Sequence, residues 1–200
     1  VLALTIRQPY AALVAAGLKR AEYRTWRTPY RGWLAVHAAA SQAADFPRIP
    51  ADGGLAIADG LRGGRAVPTP ARGLALLDAL DGERVVPMPF AAIVALARLV
   101  DVVPVDHAFR RGREARDQLY APAPRIERGT PAPFAWRLAD AWPLPAPVPI
   151  AGKLGLWKLP ADVAAPLERL QAVAEAAAAA AAAPVAEAQA AARQTLTRQA

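Results

Sequence analysis

The spacing of apolar residues changes along this chain, and each change marks an element. Residues 2–6, Leu-Ala-Leu-Thr-Ile, read as a first strand. Tyr10, Leu13 and Val14 then recur at i, i+3 and i+4, which predicts a helix that starts near Gln8, with Pro9 at a tolerated first-turn position. Gly17 follows the apolar run 11–16 and can take the left-handed conformation that ends a helix. Residues 22–27 are rich in Tyr, Thr and Trp and suit a second strand. On it Glu22, Arg24 and Trp26 would share one face, and Tyr23, Thr25 and Arg27 the other. Pro29-Tyr30-Arg31-Gly32 is a turn signal, residues 33–37 read as the next strand, and 38–42 as a loop or short helix.

The middle of the chain is less regular. Residues 45–73, rich in Gly, Pro, Asp and Arg, read as an excursion over the surface, and Leu74, Leu77 and Leu80 predict a short amphipathic helix over 72–80. The nearly continuous apolar run 93–103 predicts a long buried strand at the centre of its sheet, with Arg98 and Asp101 either an internal pair or at an edge. The basic cluster 110–116, offset by Glu114 and Asp117, reads as a solvated helix face. Residues 134–138 alternate as a strand, Pro143, Pro145, Pro147 and Pro149 predict an extended linker, and 152–159 supply a last strand. Beyond Pro160 comes a run of eight alanines, 176–183, which Pro184 interrupts before a second Ala/Gln run. Alanine has the highest helix propensity, so this part is expected to be a helical tail, its first turns docked by Leu167, Leu170 and Val173. The expected organisation is one domain over 2–159 and the tail over 160–200.

Composition narrows the function classes. Cysteine is absent, which rules out disulfides and thiolate metal sites and fits a reducing cytoplasm. His37 and His107 stand alone and no carboxylates have ligand spacing, so no metal site is expected. Gly53-Gly54 and Gly63-Gly64 are not phosphate loops, because no Lys-Ser/Thr follows and no strand precedes; no cofactor is expected. No apolar run predicts a membrane span. The chain enters its first strand without a charged leader and begins without Met, so a few residues are expected to have been removed or left out. The formal net charge is +7, and the excess lies in two segments. Residues 1–40 carry six bases and one acid, and 121–160 five bases and two acids. An anion-binding face would distribute charge in this way.

The densest chemistry lies between Gly17 and Gly32, where Lys19, Arg20, Arg24, Arg27 and Arg31 meet a single acid, Glu22, with Tyr23, Trp26 and Tyr30 interleaved. Gly17-x-Lys19-x-x-Glu22-x-Arg24 resembles the G-x-K-x-x-E-x-R signature of the ASCH (activating signal cointegrator homology) domain, a relative of the PUA domains. Three more segments agree in order. Residues 4–11 resemble the S-I-x-Q-P-W/Y-A opening of that family, 30–38 its Y-R-G-x-x-x-I-H-A strand, and 147–157 its closing P-x-P-x-x-G-x-x-G-L-W. The resemblance implies an α+β fold, a small PUA-like β-barrel with flanking helices, and a cleft lined by the signature Lys, Glu and Arg with RNA or nucleotides as ligands.

The residue chemistry is compatible with that cleft. Lys19 and Arg24 can meet phosphate, Arg in bidentate fashion, with Arg27 and Arg31 as further basic contacts. Trp26 or Tyr30 could stack a base. Glu22 could read a base amino group, or hold Lys19 and Arg24 in place when no ligand is bound. Gln8 could bond either a ligand or the backbone, and His37, at the end of an apolar strand where a histidine is more often structural, completes the candidate ligand set. A different class stays open: relatives of the family hydrolyse amide bonds of modified nucleosides, and others are proposed ribonucleases. In such an enzyme a desolvated Lys19 would act as base, with Glu22 orienting it or taking the proton. The amidohydrolases carry a Thr nucleophile three residues after the Lys, where this chain has Glu22; the nearest hydroxyl, Thr25, lies three residues further on. A protein-interaction module, with the Ala-rich tail reaching a protein partner, is the third class.

Overall fold

The computed structural model of the chain describes residues 1–44, 54–58, 69–71, 83–106, 109 and 133–199. Most of the excursion expected at 45–73 lies outside them, as do the helix expected at 72–80, His107 and the basic cluster 110–116. The chain divides into two units, Val1–Leu159 and Pro160–Ala200.

In the first unit, strands and one short helix follow in the order β1 (Leu2–Gln8), α1 (Tyr10–Ala15), β2 (Ala21–Arg24), β3 (Gly32–Gln42), β4 (Gly54–Ala58), β5 (Thr69–Ala71), β6 (Glu83–Pro87), β7 (Ala92–Pro104), β8 (Phe134–Pro149) and β9 (Leu156–Lys158). Six of them form one mixed sheet in the order β2-β8-β7-β3-β1-β9, and β5-β4-β6 form a second, three-stranded sheet. Only β1 and β3 run parallel in the main sheet, and α1 and β2 make the crossover that a parallel pair requires. The fold class is α+β, as expected. The long apolar run is β7, which lies inside the sheet with Ile93, Leu96 and Leu99 fully buried. The core packs Leu4, Ile6, Leu34, Val36 and Leu99 around Trp136, with α1 adding Ala11 and Val14.

The sheet does not close into the expected barrel. Its edges are β2 and β9, strands of four and three residues. Because β9 pairs only with Leu2–Leu4 of β1, the Thr5 carbonyl is left beyond its end, where the Arg24 guanidinium of β2 donates to it. A side chain of β2 thus reaches β1, with which β2 shares no strand pairing.

Four local expectations change for physical reasons. β2 ends at Arg24 rather than residue 27. Trp26 leaves the strand to pack edge-on against Trp136, with ring centroids 4.5 Å apart, and Trp136 Nε1 donates to the Trp26 carbonyl at 3.1 Å. The alanines after His37 continue β3 to Gln42 instead of making a loop or helix, because β7 takes up Ala38 on one side and β1 pairs Gln8 with Gln42 on the other. Tertiary pairing outweighs alanine's helical preference here. The proline-rich stretch is the end of β8, one strand of sixteen residues, and not a linker. Its prolines occupy every second position, so any amide that β8 donates to β7 there comes from Leu144, Ala146 or Val148. Arg98 and Asp101 do not pair with each other: Arg98 binds Asp140 at 2.6 Å, and Asp101 takes Arg31 and Arg137, each at 3.2 Å.

The second unit is a single helix, α2 (Ala161–Gln199). It runs through Pro184, where the alanine run of the sequence is interrupted. Proline forfeits one backbone hydrogen bond, and the flanking alanines carry the helix past it. Among the described residues no helix is long and apolar enough to cross a membrane.

Candidate functional site

Gly17 ends α1 with φ +74°, as the sequence suggests, and the amides of Leu18 and Lys19 both donate to the Leu13 carbonyl. This turn drives the Lys19 side chain inward, where it is 3 % exposed. Its ammonium donates to the Ala21 carbonyl and to Glu22 Oε2, the latter at 2.7 Å, and lies 5.1 Å from the Tyr23 ring centroid and 5.6 Å from that of Tyr10. The other Glu22 oxygen meets Arg24 at 3.2 Å. One carboxylate therefore holds two cations: β2 carries Glu22 and Arg24 at alternate positions, and the turn before it brings Lys19 to them.

Burial lowers the Lys19 pKa from its ordinary 10.5; the Glu22 charge and hydrogen bond oppose that shift, and Arg24 adds to it. Between the lowered folded value and 10.5 the unfolded chain holds a proton that the folded chain has released, so this group makes stability rise with pH in that window. Lys19→Met removes the effect. Denaturant melts at several alkaline pH values are expected to show the stability difference shifting in favour of wild type over Lys19→Met as pH climbs toward 10.5.

Glu22 and Arg24 form one side of a cavity of ≈ 500 Å³. Strand alternation supplies its floor. On β1, Leu4 and Ile6 point to the core while Thr5 and Arg7 point to the cavity; on β3, Ala39 and Ser41 do the same. Tyr10, at the start of α1, and the loop residues Lys153, Leu154 and Gly155 line the rest. A second cavity of ≈ 340 Å³ is lined by Gly17, Lys19, Arg20 and Asp140, so the Lys19–Glu22 pair contributes one partner to each cavity.

The loop before β9 is fixed by three side-chain hydrogen bonds, beside the backbone bond from the Ile150 amide to the Ala91 carbonyl. His37 Nε2 donates to the Ile150 carbonyl at 2.9 Å. Thr5 Oγ1 donates to the Lys153 carbonyl at 2.9 Å and accepts from Trp157 Nε1 at 3.1 Å. Gly152 lies so close to His37 that a Cβ there would collide with the ring carbon Cε1. His37 also packs edge-on against Trp157, with centroids 5.6 Å apart. Fully buried, it holds the loop and does not face the cavity.

The other candidate residues divide as follows. Gln8 is fully buried: its Oε1 accepts from the Ala12 amide at 3.0 Å, capping the start of α1, and its Nε2 donates to the Pro89 carbonyl at 2.8 Å. Tyr30 packs on the core and donates its hydroxyl to the Trp33 carbonyl at 2.7 Å, and burial raises its pKa. Arg31 binds Asp101 and the carbonyls of Thr28 and Tyr30. Arg27 is exposed, outside the lining of either cavity. Of the nine ligand candidates, only Glu22 and Arg24 line the larger cavity.

Thr5, Arg7, Ser41, Lys153 and Leu154 also line that cavity, and the sequence pattern does not mark them as ligand residues. For Thr5 and Arg7 a signal was present in the two-residue period of β1. Lys153 and Leu154 depend on a fold-back over nearly 150 residues, which no local pattern encodes. Among the described residues no group of three His, Cys, Asp or Glu could hold a metal ion.

A search of curated proteins found no match to this chain. The family model of the ASCH domain matches residues 4–126, more than half of the 200 residues and including nearly all of β1 and the whole of α1, β2 and β3. The chain belongs to the ASCH domain family.

Proposed function

We propose that the larger cavity binds single-stranded RNA, taking one nucleotide between β1, β2 and the loop before β9. The observation that carries this reading is the charge of the lining. Arg7, Arg24 and Lys153 converge on the cavity, and its one carboxylate, Glu22, is already neutralised by Lys19 and Arg24. A concave site with surplus positive charge selects phosphate, and about 500 Å³ lies within the range of small-ligand pockets. Arg24, held through Nη2 by Glu22 and the Thr5 carbonyl, keeps a preorganised guanidinium charge at the cavity wall, where it favours a phosphate.

Binding is better supported than hydrolysis through Lys19. A general base must reach the proton it removes, and the Lys19 ammonium is enclosed by Ala21, Glu22 and two tyrosine rings. The test is a titration of an eight-nucleotide single-stranded RNA at two salt concentrations, with the RNA checked by mass spectrometry. Arg24→Ala is expected to weaken binding about ten-fold and to reduce the salt slope by about 0.7, the contribution of one single-strand phosphate. Equal affinity for wild type and Arg24→Ala would overturn the reading, and cleaved RNA, or loss of the acetyl group from a second strand carrying N4-acetylcytidine, would replace it with the enzyme.

A further inference from the structure

The side chains first expected to stack on a base are engaged elsewhere: Trp26 packs on Trp136 and Tyr30 on the core. A nucleotide in the cavity still needs an apolar surface for its base. Among the described residues three large hydrophobic side chains are exposed: Val100 at 38 %, Val173 at 55 % and Leu154 at 98 %. Single exposed apolar side chains are ordinary, but Leu154 differs from the other two in lining the cavity. Its position is also fixed. Thr5 holds the neighbouring Lys153 carbonyl, His37 holds Ile150, and Trp157 anchors the far side of the loop. Gly155, with φ +70°, turns the chain immediately after it. A fully exposed leucine on a loop tied down at both ends has little conformational entropy left to lose in its backbone when a ligand packs on it.

We propose that Leu154 packs on the base of the bound nucleotide while the adjacent Lys153 meets its phosphate, so that the loop Ile150–Gly155 is the wall that distinguishes a nucleotide from a bare sugar-phosphate. The inference rests on the RNA-binding reading of the same cavity. Lys153 fits the phosphate role because its exposed ammonium, 5.9 Å from the Trp157 ring centroid, can swing toward the cavity while its backbone stays pinned. The two neighbours thereby serve different parts of one ligand.

The test uses the full chain and two probes, an eight-nucleotide oligocytidylate and the same strand with abasic sites. Wild type is expected to bind the abasic strand about ten-fold more weakly, and Leu154→Ala to narrow that ratio to about three-fold, because the variant removes the packing that the abasic strand already lacks. Lys153→Ala is expected to leave the ratio unchanged and to reduce the salt slope by about 0.7. Both side chains are exposed, so unchanged thermal melts are the expected control. If Arg24→Ala weakens binding but the ratio is the same for wild type and Leu154→Ala, the base contact is refuted while the RNA-binding reading stands. If wild type binds neither strand, both fall.

Discussion

Glu22→Ala is expected to lower the unfolding free energy by about 3–5 kcal/mol, the cost of leaving a buried charge without its partner. Lys19 is 3 % exposed, and its remaining acceptor would be the Ala21 carbonyl. Arg24 would lose its inner partner at the same time and keep only the Thr5 carbonyl, so the cavity wall should loosen along with the core. The control is the double variant Lys19→Met, Glu22→Gln. It removes the buried Lys19–Glu22 charges and keeps an amide oxygen opposite the partly exposed Arg24. It is expected to lie within about 1 kcal/mol of wild type, since apolar or neutral replacements of buried ion pairs are often tolerated. Denaturant unfolding of the single and double variants measures both. If Glu22→Ala proved as stable as wild type, the carboxylate would not be what holds Lys19 inside.

Gly152→Ala is expected to cost about 1–3 kcal/mol, the range for forcing a methyl into a packed site. The added Cβ would collide with His37 Cε1 and lie 2.7 Å from its Nδ1 and 3.0 Å from Thr5 Oγ1. The ring cannot easily retreat, because Ile150 holds its Nε2 and Trp157 packs against it. The loop must move instead, taking Lys153 and Leu154 with it. His37→Ala makes room for the methyl, so the Gly152→Ala, His37→Ala double variant is expected to lose less than the sum of the two single variants. Gly155→Ala offers a contrast. Its Cβ would meet nothing within 4 Å, so its cost is the positive φ alone, about 1–2 kcal/mol. Unfolding curves for the four variants separate crowding from backbone strain.

Where the sequence was readable, a local rule was at work. Gly17 announced the end of α1, the apolar run 93–103 announced β7, and the G-x-K-x-x-E-x-R spacing brought Lys19, Glu22 and Arg24 onto one short strand and the turn before it. The readings that changed were those in which a distant partner decided. Gln8 is polar and adjacent to a helix start, which suits a ligand contact equally well until Pro89 is found across from its amide. His37, at the end of an apolar strand, suits a structural role and a site role alike until Ile150 and Gly152 close over it. Trp26 continues the strand pattern of 22–24, but Trp136 draws it into the core, and its burial there outweighs another pair of ladder bonds. The closing segment could be recognised but not placed, because its position as a cavity wall depends on Thr5, at the opposite end of the domain.

The alternating prolines at the end of β8 have a consequence for the protein in company. Among the described residues β2 pairs with β8 only along Phe134–Arg137, and β8 itself runs on to Pro149. Long unpartnered strand edges are templates on which other chains can add, strand by strand, toward insoluble aggregates. The amides along one edge of a strand come from alternate residues, so with proline at every second position from 143 to 149 one edge of this stretch offers no donors to an incoming strand. The prolines that look like a linker in the sequence thus make the part of β8 beyond β2 a poor template for strand addition.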